Sequence, residues 1–166
     1  MKYELIKTDT KQFANKTLYR IKALIAIGTS VSAGDLGGYV EAEKNLSQFN
    51  DAWVYDDARV YDDARVYDDA QVYGDAQVYG DARVSGNAQV QNYKTWLLIG
   101  PAKSSGRLTT AFVDKKIGVR VVCGCFTGSV LQFSKQIEKT HANNKEALEQ
   151  YRLFCQLIAF NFGVTA

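Results

Sequence analysis

Few side chains in this sequence are equipped for chemistry. It holds one histidine, His141, and three cysteines, Cys123, Cys125 and Cys155. A thiolate beside an imidazole makes a nucleophile with its base, and a cysteine just ahead of a helix N-terminus has its thiolate favoured. Cys125 precedes Ser129 by four residues, and Ser129 with Gln132 reads as a capping box that opens a helix. Cys125 and His141 are therefore the candidate catalytic pair. The competing reading makes Cys125 a small residue at a strand end and His141 the cap of that helix's C-terminus, where a cation is favoured. Lys115, Lys116 and Arg120, with Asn143 nearby, would suit a phosphate-bearing ligand. No metal site is expected, because Cys-Gly-Cys is not a structural zinc spacing and a fourth ligand is missing. No cofactor is expected.

These residues all lie outside the most ordered tract. Residues 51–92 are seven six-residue units: DAWVYD, DARVYD, DARVYD, DAQVYG, DAQVYG, DARVSG and NAQVQN. A strict period fixes architecture before any single residue is interpreted. Alanine holds the second place and valine the fourth in every unit. Residues two apart face one side of a strand, so Ala and Val point inward. The intervening residue points out, as Trp53, Arg59, Arg65, Gln71, Gln77, Arg83 or Gln89. The residue after valine also points out. Pairs of Asp, Gly and Asn then supply corners, since those residues tolerate turn angles. Three corners close a coil of eighteen residues, so Val54 should stack on Val72, Val60 on Val78 and Val66 on Val84.

Two outer features are candidate partner-binding surfaces. Trp53, Tyr55, Tyr61, Tyr67, Tyr73 and Tyr79 form aromatic walls, and aromatic residues enrich interfaces. Asp57, Asp63, Asp69, Asp75 and Asp81 form an anionic edge able to imitate nucleic-acid phosphates. Solvated corner turns are the plainer reading of the same aspartates. Residues 51–90 carry nine Asp against three Arg, whereas residues 91–166 carry ten basic and four acidic side chains. Such asymmetry suggests different neighbours for the two halves. Direct nucleic-acid binding by the basic tail is not expected, for want of a reader motif.

Flanking the repeats, residues 2–6 and 17–27 read as strands, and residues 30–50 as an irregular coil with Leu36, Val40 and Leu46 turned inward. Residues 95–99, 108–113 and 117–123 read as strands, followed by helices from Ser129 and from near Asn144. The expected fold class is mainly β: a β-helix over 31–92, strands over 1–30, and a small β-β-β-α-α cap over 93–166. With no disulfide spacing, signal peptide or apolar span in the sequence, a cytoplasmic protein with no membrane partner is expected.

The hexads resemble the hexapeptide-repeat, left-handed parallel β-helix family, in which a small residue follows an aliphatic one by four places, as Ala58 follows Val54. The resemblance implies the left-handed winding. TLYRIKAL, GDLGGYVEAEKNLSQ, the hexads and GCFTGSVLQF together resemble a repeat protein of bacteriophage and prophage genomes. The aromatic walls and anionic edge lead to the expectation of a non-enzymatic binding scaffold, and the phage likeness implies that it acts in the host cytoplasm. It would bind itself as a homo-oligomer, or a host protein or ribonucleoprotein, as an anti-CRISPR-like antagonist of host defence does. The alternative is an acyltransferase-like or small-molecule- or nucleotide-binding enzyme using the C-terminal cap. Hexapeptide acyltransferases are similar only in the solenoid, and residues 31–92 contain no histidine to serve as their general base.

Overall fold

The computed structural model of the chain describes residues 1–13, 15–92 and 94–165. It divides into two compact units, Met1–Asn92 and Tyr93–Ala166.

The first unit opens with β1 (Tyr3–Phe13), β2 (Lys16–Ala23) and β3 (Leu36–Val40), then a 3₁₀ turn at Glu43–Asn45. The hexads follow as seven two-residue strands: β4 (Trp53–Val54), β5 (Arg59–Val60), β6 (Arg65–Val66), β7 (Gln71–Val72), β8 (Gln77–Val78), β9 (Arg83–Val84) and β10 (Gln89–Val90). The first four each pair in parallel with the strand three places on. Val54 lies beside Val72 and Val72 beside Val90, while Val60 pairs with Val78 and Val66 with Val84. The coil is eighteen residues, as the period requires. Every repeat alanine and valine from Ala52 to Val90 is buried, and burying one valine stabilises by roughly 1.5–3 kcal/mol.

The corners have a regular chemistry. Asp56, Asp62 and Asp68, then Gly74, Gly80 and Gly86, all take positive φ between 51° and 66°. Each corner residue of the first coil faces a glycine one coil later. The aspartate carboxylate accepts the N–H of that glycine, at 3.1 Å for Asp56–Gly74, 3.2 Å for Asp62–Gly80 and 3.1 Å for Asp68–Gly86. The change from Tyr-Asp-Asp to Tyr-Gly-Asp in the repeat is therefore one inter-coil bond written twice, once as acceptor and once as donor.

Below the first coil, β1, β2 and β3 continue the β5–β8 stack in a single five-stranded sheet. Val40 and Leu46 are buried as expected, but Leu36 is exposed. The pairing of β3 with β2 shifts register between Arg20 and Lys22, and an extra residue turns the side chains before it to the other face. Gly37 and Gly38 lie in β3, where the coil comes too close for a side chain. A Cβ on Gly38 would stand 2.6 Å from the Ala58 carbonyl and 2.7 Å from Val54 Cγ1. Buried Lys2 closes the same end, its Nζ donating to the carbonyls of Asn50 at 3.1 Å and Ala52 at 2.7 Å.

In the second unit β11 (Trp96–Ile99), β12 (Thr109–Asp114), β13 (Gly118–Cys123) and β14 (Phe126–Ser129) form an antiparallel sheet in that order, followed by α1 (Val130–Thr140) and α2 (Lys145–Phe162). The expected three-stranded cap has a fourth strand. Phe-Thr-Gly-Ser is weakly strand-like by composition, and β14 forms by pairing with β13 across a turn in which Gly124 has φ 59°. Ser129 caps α1 in a capping box and Asn144 caps α2. The core joins Ala111, Val119 and Val121 of the sheet to Phe133, Ile137, Tyr151 and Ile158 of the helices.

Two outcomes follow for the first unit. Gly38→Ala overfills the β3 contact and lowers stability by roughly 1–3 kcal/mol, read as a lower urea midpoint at unchanged slope. Burial lowers the Lys2 pKa to about 8, against the opposing pull of Asp51. Free lysine titrates near 10.4, so between these pH values the unfolded chain binds more protons and stability rises with pH. Urea titrations should show stability flat up to about pH 8 and rising above it, with the rise absent in Lys2→Met.

Candidate functional site

The solenoid places its outward residues unevenly. Trp53, expected outside, is buried with Tyr3 edge-on at 6.3 Å, and Tyr61 is buried with Phe13 at 5.5 Å. In both cases the N-terminal hairpin supplies the cover. Tyr55, Tyr67 and Tyr73 are half-buried and Tyr79 is exposed. Tyr55 and Tyr73 meet edge to face at 6.3 Å, and Tyr61 and Tyr79 stack at 5.5 Å. These are the predicted i to i+18 columns, but much of their area is spent on each other. The acidic edge is also partly neutralised. Asp57 pairs with Lys11, and Asp63 with Lys44 at 2.6 Å. Both carboxyls are held below their usual pKa by those lysines. Asp69 accepts from the Asn87 amide at 3.3 Å, while Asp75 and Asp81 stand exposed on the second coil.

The second unit contains a cavity of about 310 Å³ lined in part by reactive groups. Its apolar wall is Phe126, Phe133 and Ile137, and Arg107, Cys125 and His141 lie around it. The path of the chain explains how distant residues meet there. From Cys125, β14 runs four residues, roughly 13 Å at ~3.3 Å each. Helix α1 then covers eleven residues, roughly 16 Å at ~1.5 Å each. It packs back along the sheet, so Cys125 meets the C-terminus of α1. The expected placement of Cys125 near the helix N-terminus is thus reversed, and that end of the dipole acts only within the first turn. His141 is the C-cap residue of α1, its backbone N–H donating to Ile137.

Tyr151 anchors this cavity. Its hydroxyl lies 2.9 Å from Ser105 Oγ and accepts from Cys123 Sγ at 3.9 Å. Burial pushes the phenol's pKa up. The His141 ring stacks on Tyr151 with centroids 5.0 Å apart and planes 18° apart. Arg107, Gln136, Thr140 and Tyr151 are lining residues that the sequence reading missed. Arg107 sits in a Ser-Ser-Gly-Arg turn, and Tyr151 lies on the buried face of α2.

Lys115, Lys116 and Arg120 do not line the cavity. The turn bearing the two lysines is at the opposite end of β13 from Cys123. Arg120 Nε is 2.7 Å from buried Asp114, whose carboxylate also accepts the N–H groups of Lys116 at 2.8 Å and Ile117 at 3.2 Å. Burial opposes ionisation of Asp114, but Arg120 and these amides outweigh it and its pKa is lowered. Arg120 is thus engaged in shaping a turn. Asn143 is exposed between the helices. No cluster of three or more His, Cys, Asp or Glu side chains that could hold a metal forms among the described residues. None of their helices is long and apolar enough to cross a membrane.

Against this geometry, a family model described as the YdcK beta solenoid repeat matches residues 52–68, 58–74 and 76–92. The hexad tract is a β-solenoid repeat. No curated protein matches the chain.

The three free thiols differ in access. Cys125 is exposed, Cys123 and Cys155 are buried, and burial pushes the Cys155 pKa up to about 11. Iodoacetamide on the native protein should add one carbamidomethyl group, at Cys125 by peptide mapping. The other two cysteines should react only after denaturation. Fast native labelling of Cys155 would contradict this packing.

Proposed function

We propose that the protein is a non-enzymatic binding scaffold acting by protein–protein contact, and that its first partner is a second copy of itself. One observation carries this reading: α2 has two apolar faces. Ala147, Tyr151, Phe154, Cys155 and Ile158 enter the core. Leu153, Leu157 and Phe160 remain exposed, Phe160 at 88%. Their spacing of four then three is that of a coiled-coil seam. Val164, past the Gly163 cap, extends the exposed strip. A seam of this kind is self-complementary about a two-fold axis, with the two helices antiparallel and their dipoles opposed.

Two finer elements belong to this proposal. The solenoid winds left-handed; the support is the six-residue Ala/Val unit with two-residue strands, which the chain shares with hexapeptide-repeat helices. The protein is of the phage type, and its further partner is a host-defence ribonucleoprotein. The phage type is supported by the resemblance of TLYRIKAL, GDLGGYVEAEKNLSQ, the hexads and GCFTGSVLQF to phage repeat proteins, and the partner by the acidic second-coil surface at Asp75 and Asp81 and the exposed ring of Tyr79.

Size exclusion with light scattering tests the self-association. The wild type should run at twice the 18.5 kDa chain mass. Leu157→Glu/Phe160→Glu should run at the single-chain mass with unchanged circular dichroism. A wild type that stays at the single-chain mass at every concentration would overturn the reading.

A further inference from the structure

We propose that the C-terminal unit's cavity binds a small planar organic acid, its anionic group held by Arg107 and its ring against Phe126, Phe133 and Ile137. The proposal is independent of the helix seam. A volume of about 310 Å³ lies at the lower end of the ~300–1,000 Å³ typical of small-molecule sites, which combine an apolar lining with a few placed polar groups.

The sign of the ligand's charge follows from what faces the cavity. Arg107 is its fixed cation, and among the described residues no Asp or Glu lines it. The remaining titratable side chains there are Cys123, Cys125, His141 and Tyr151. Nor does any carboxylate pair with Arg107 among the described residues, in contrast to Arg120 and Arg152, which are paired with Asp114 and Glu138. A guanidinium lining a cavity that has an apolar wall and no carboxylate matches the fork geometry of a carboxylate or phosphate.

Arg107 is also positioned in advance. Its stem lies over Gly124, where a Cβ would come within 3.0 Å of Arg107 Cδ and 3.1 Å of Nε. Glycine at 124 thus serves the positive-φ turn and leaves room for the arginine. The shape of the ligand follows from the rings. Phe126 and Phe133 lie 5.1 Å apart, tilted by 43° and packed on each other as one apolar wall, and the His141 ring is fixed by its stack on Tyr151. An aromatic wall of this kind favours a ligand with an aromatic body.

Cys125 lines the cavity and is exposed, so its alkylation rate reports occupancy. The experiment measures iodoacetamide labelling of Cys125 in the full chain with benzoate, phenyl phosphate or inorganic phosphate added. Benzoate and phenyl phosphate should slow labelling saturably, and comparison of the two distinguishes carboxylate from phosphate as the preferred anion. Arg107→Gln should weaken that protection by about tenfold, the loss of one charge-assisted contact, at unchanged melting temperature. His141→Phe, which keeps the stack on Tyr151, should retain protection because the anion sits on Arg107. Absence of protection by either aromatic acid would overturn the proposal. So would protection that survives Arg107→Gln, or inorganic phosphate protecting as well as the aromatic acids.

Discussion

The first unit depends on a repeated hydrogen bond between coils. The N–H groups of the residues on either side of each inward valine donate to carbonyls seventeen residues later: Trp53 to Ala70, Tyr55 to Val72, Arg59 to Ala76, Tyr61 to Val78 and so on to Tyr73 with Val90. Two-residue strands cannot hold a sheet alone, so this register must be enforced elsewhere. Inside, alanine beside valine leaves little room for a slipped coil, because the interior is close-packed. At the corners, a carboxylate below meets a left-handed glycine N–H above. Both devices specify the same eighteen-residue shift, and agreement between independent local choices is what lets a sequence select one structure.

A stack of coils has open ends, and this one is finished at its first coil by residues with no place in the repeat. Tyr3 covers Trp53 and bonds through its hydroxyl to the Leu46 carbonyl at 2.7 Å. Asn45 is fully buried, its amide donating to the carbonyls of Asp62 and Ala64. Phe13 lies over the Arg59 guanidinium at 4.7 Å. The N-terminal hairpin thus supplies both backbone partners and side-chain cover, which is how solenoids satisfy their terminal coils. In the second unit the corresponding organising device is a strand leading away from Cys125 and a helix leading back to it. That path assembles a cavity from residues remote in sequence.

The repeat was legible because its period speaks directly to geometry. Ala and Val alternate, corners recur, and the pairing distance follows from counting. The capping box at Ser129 was legible for the same reason, since a side chain there acts on a backbone group three residues away. Contacts supplied by a distant segment were not. Nothing near Trp53 or Tyr61 announces that a hairpin from residues 3–23 will bury them. Nothing in Gly-Cys-Phe-Thr-Gly-Ser distinguishes a helix approach from a strand completed by its neighbour. Arg107 was invisible as a cavity residue because its role depends on Gly124, seventeen positions away, and on the direction of α1.

The central claim is the inter-coil register, and native-state hydrogen exchange read by NMR tests it most directly. The account predicts slow exchange at Trp53, Tyr55, Arg59, Tyr61, Arg65, Tyr67, Gln71 and Tyr73, the donors that reach the next coil. The exposed corner amides of Asp57 and Asp63 should exchange faster. Uniformly fast exchange through residues 51–92, or protection recurring with a helical period, would contradict the stacked-coil structure.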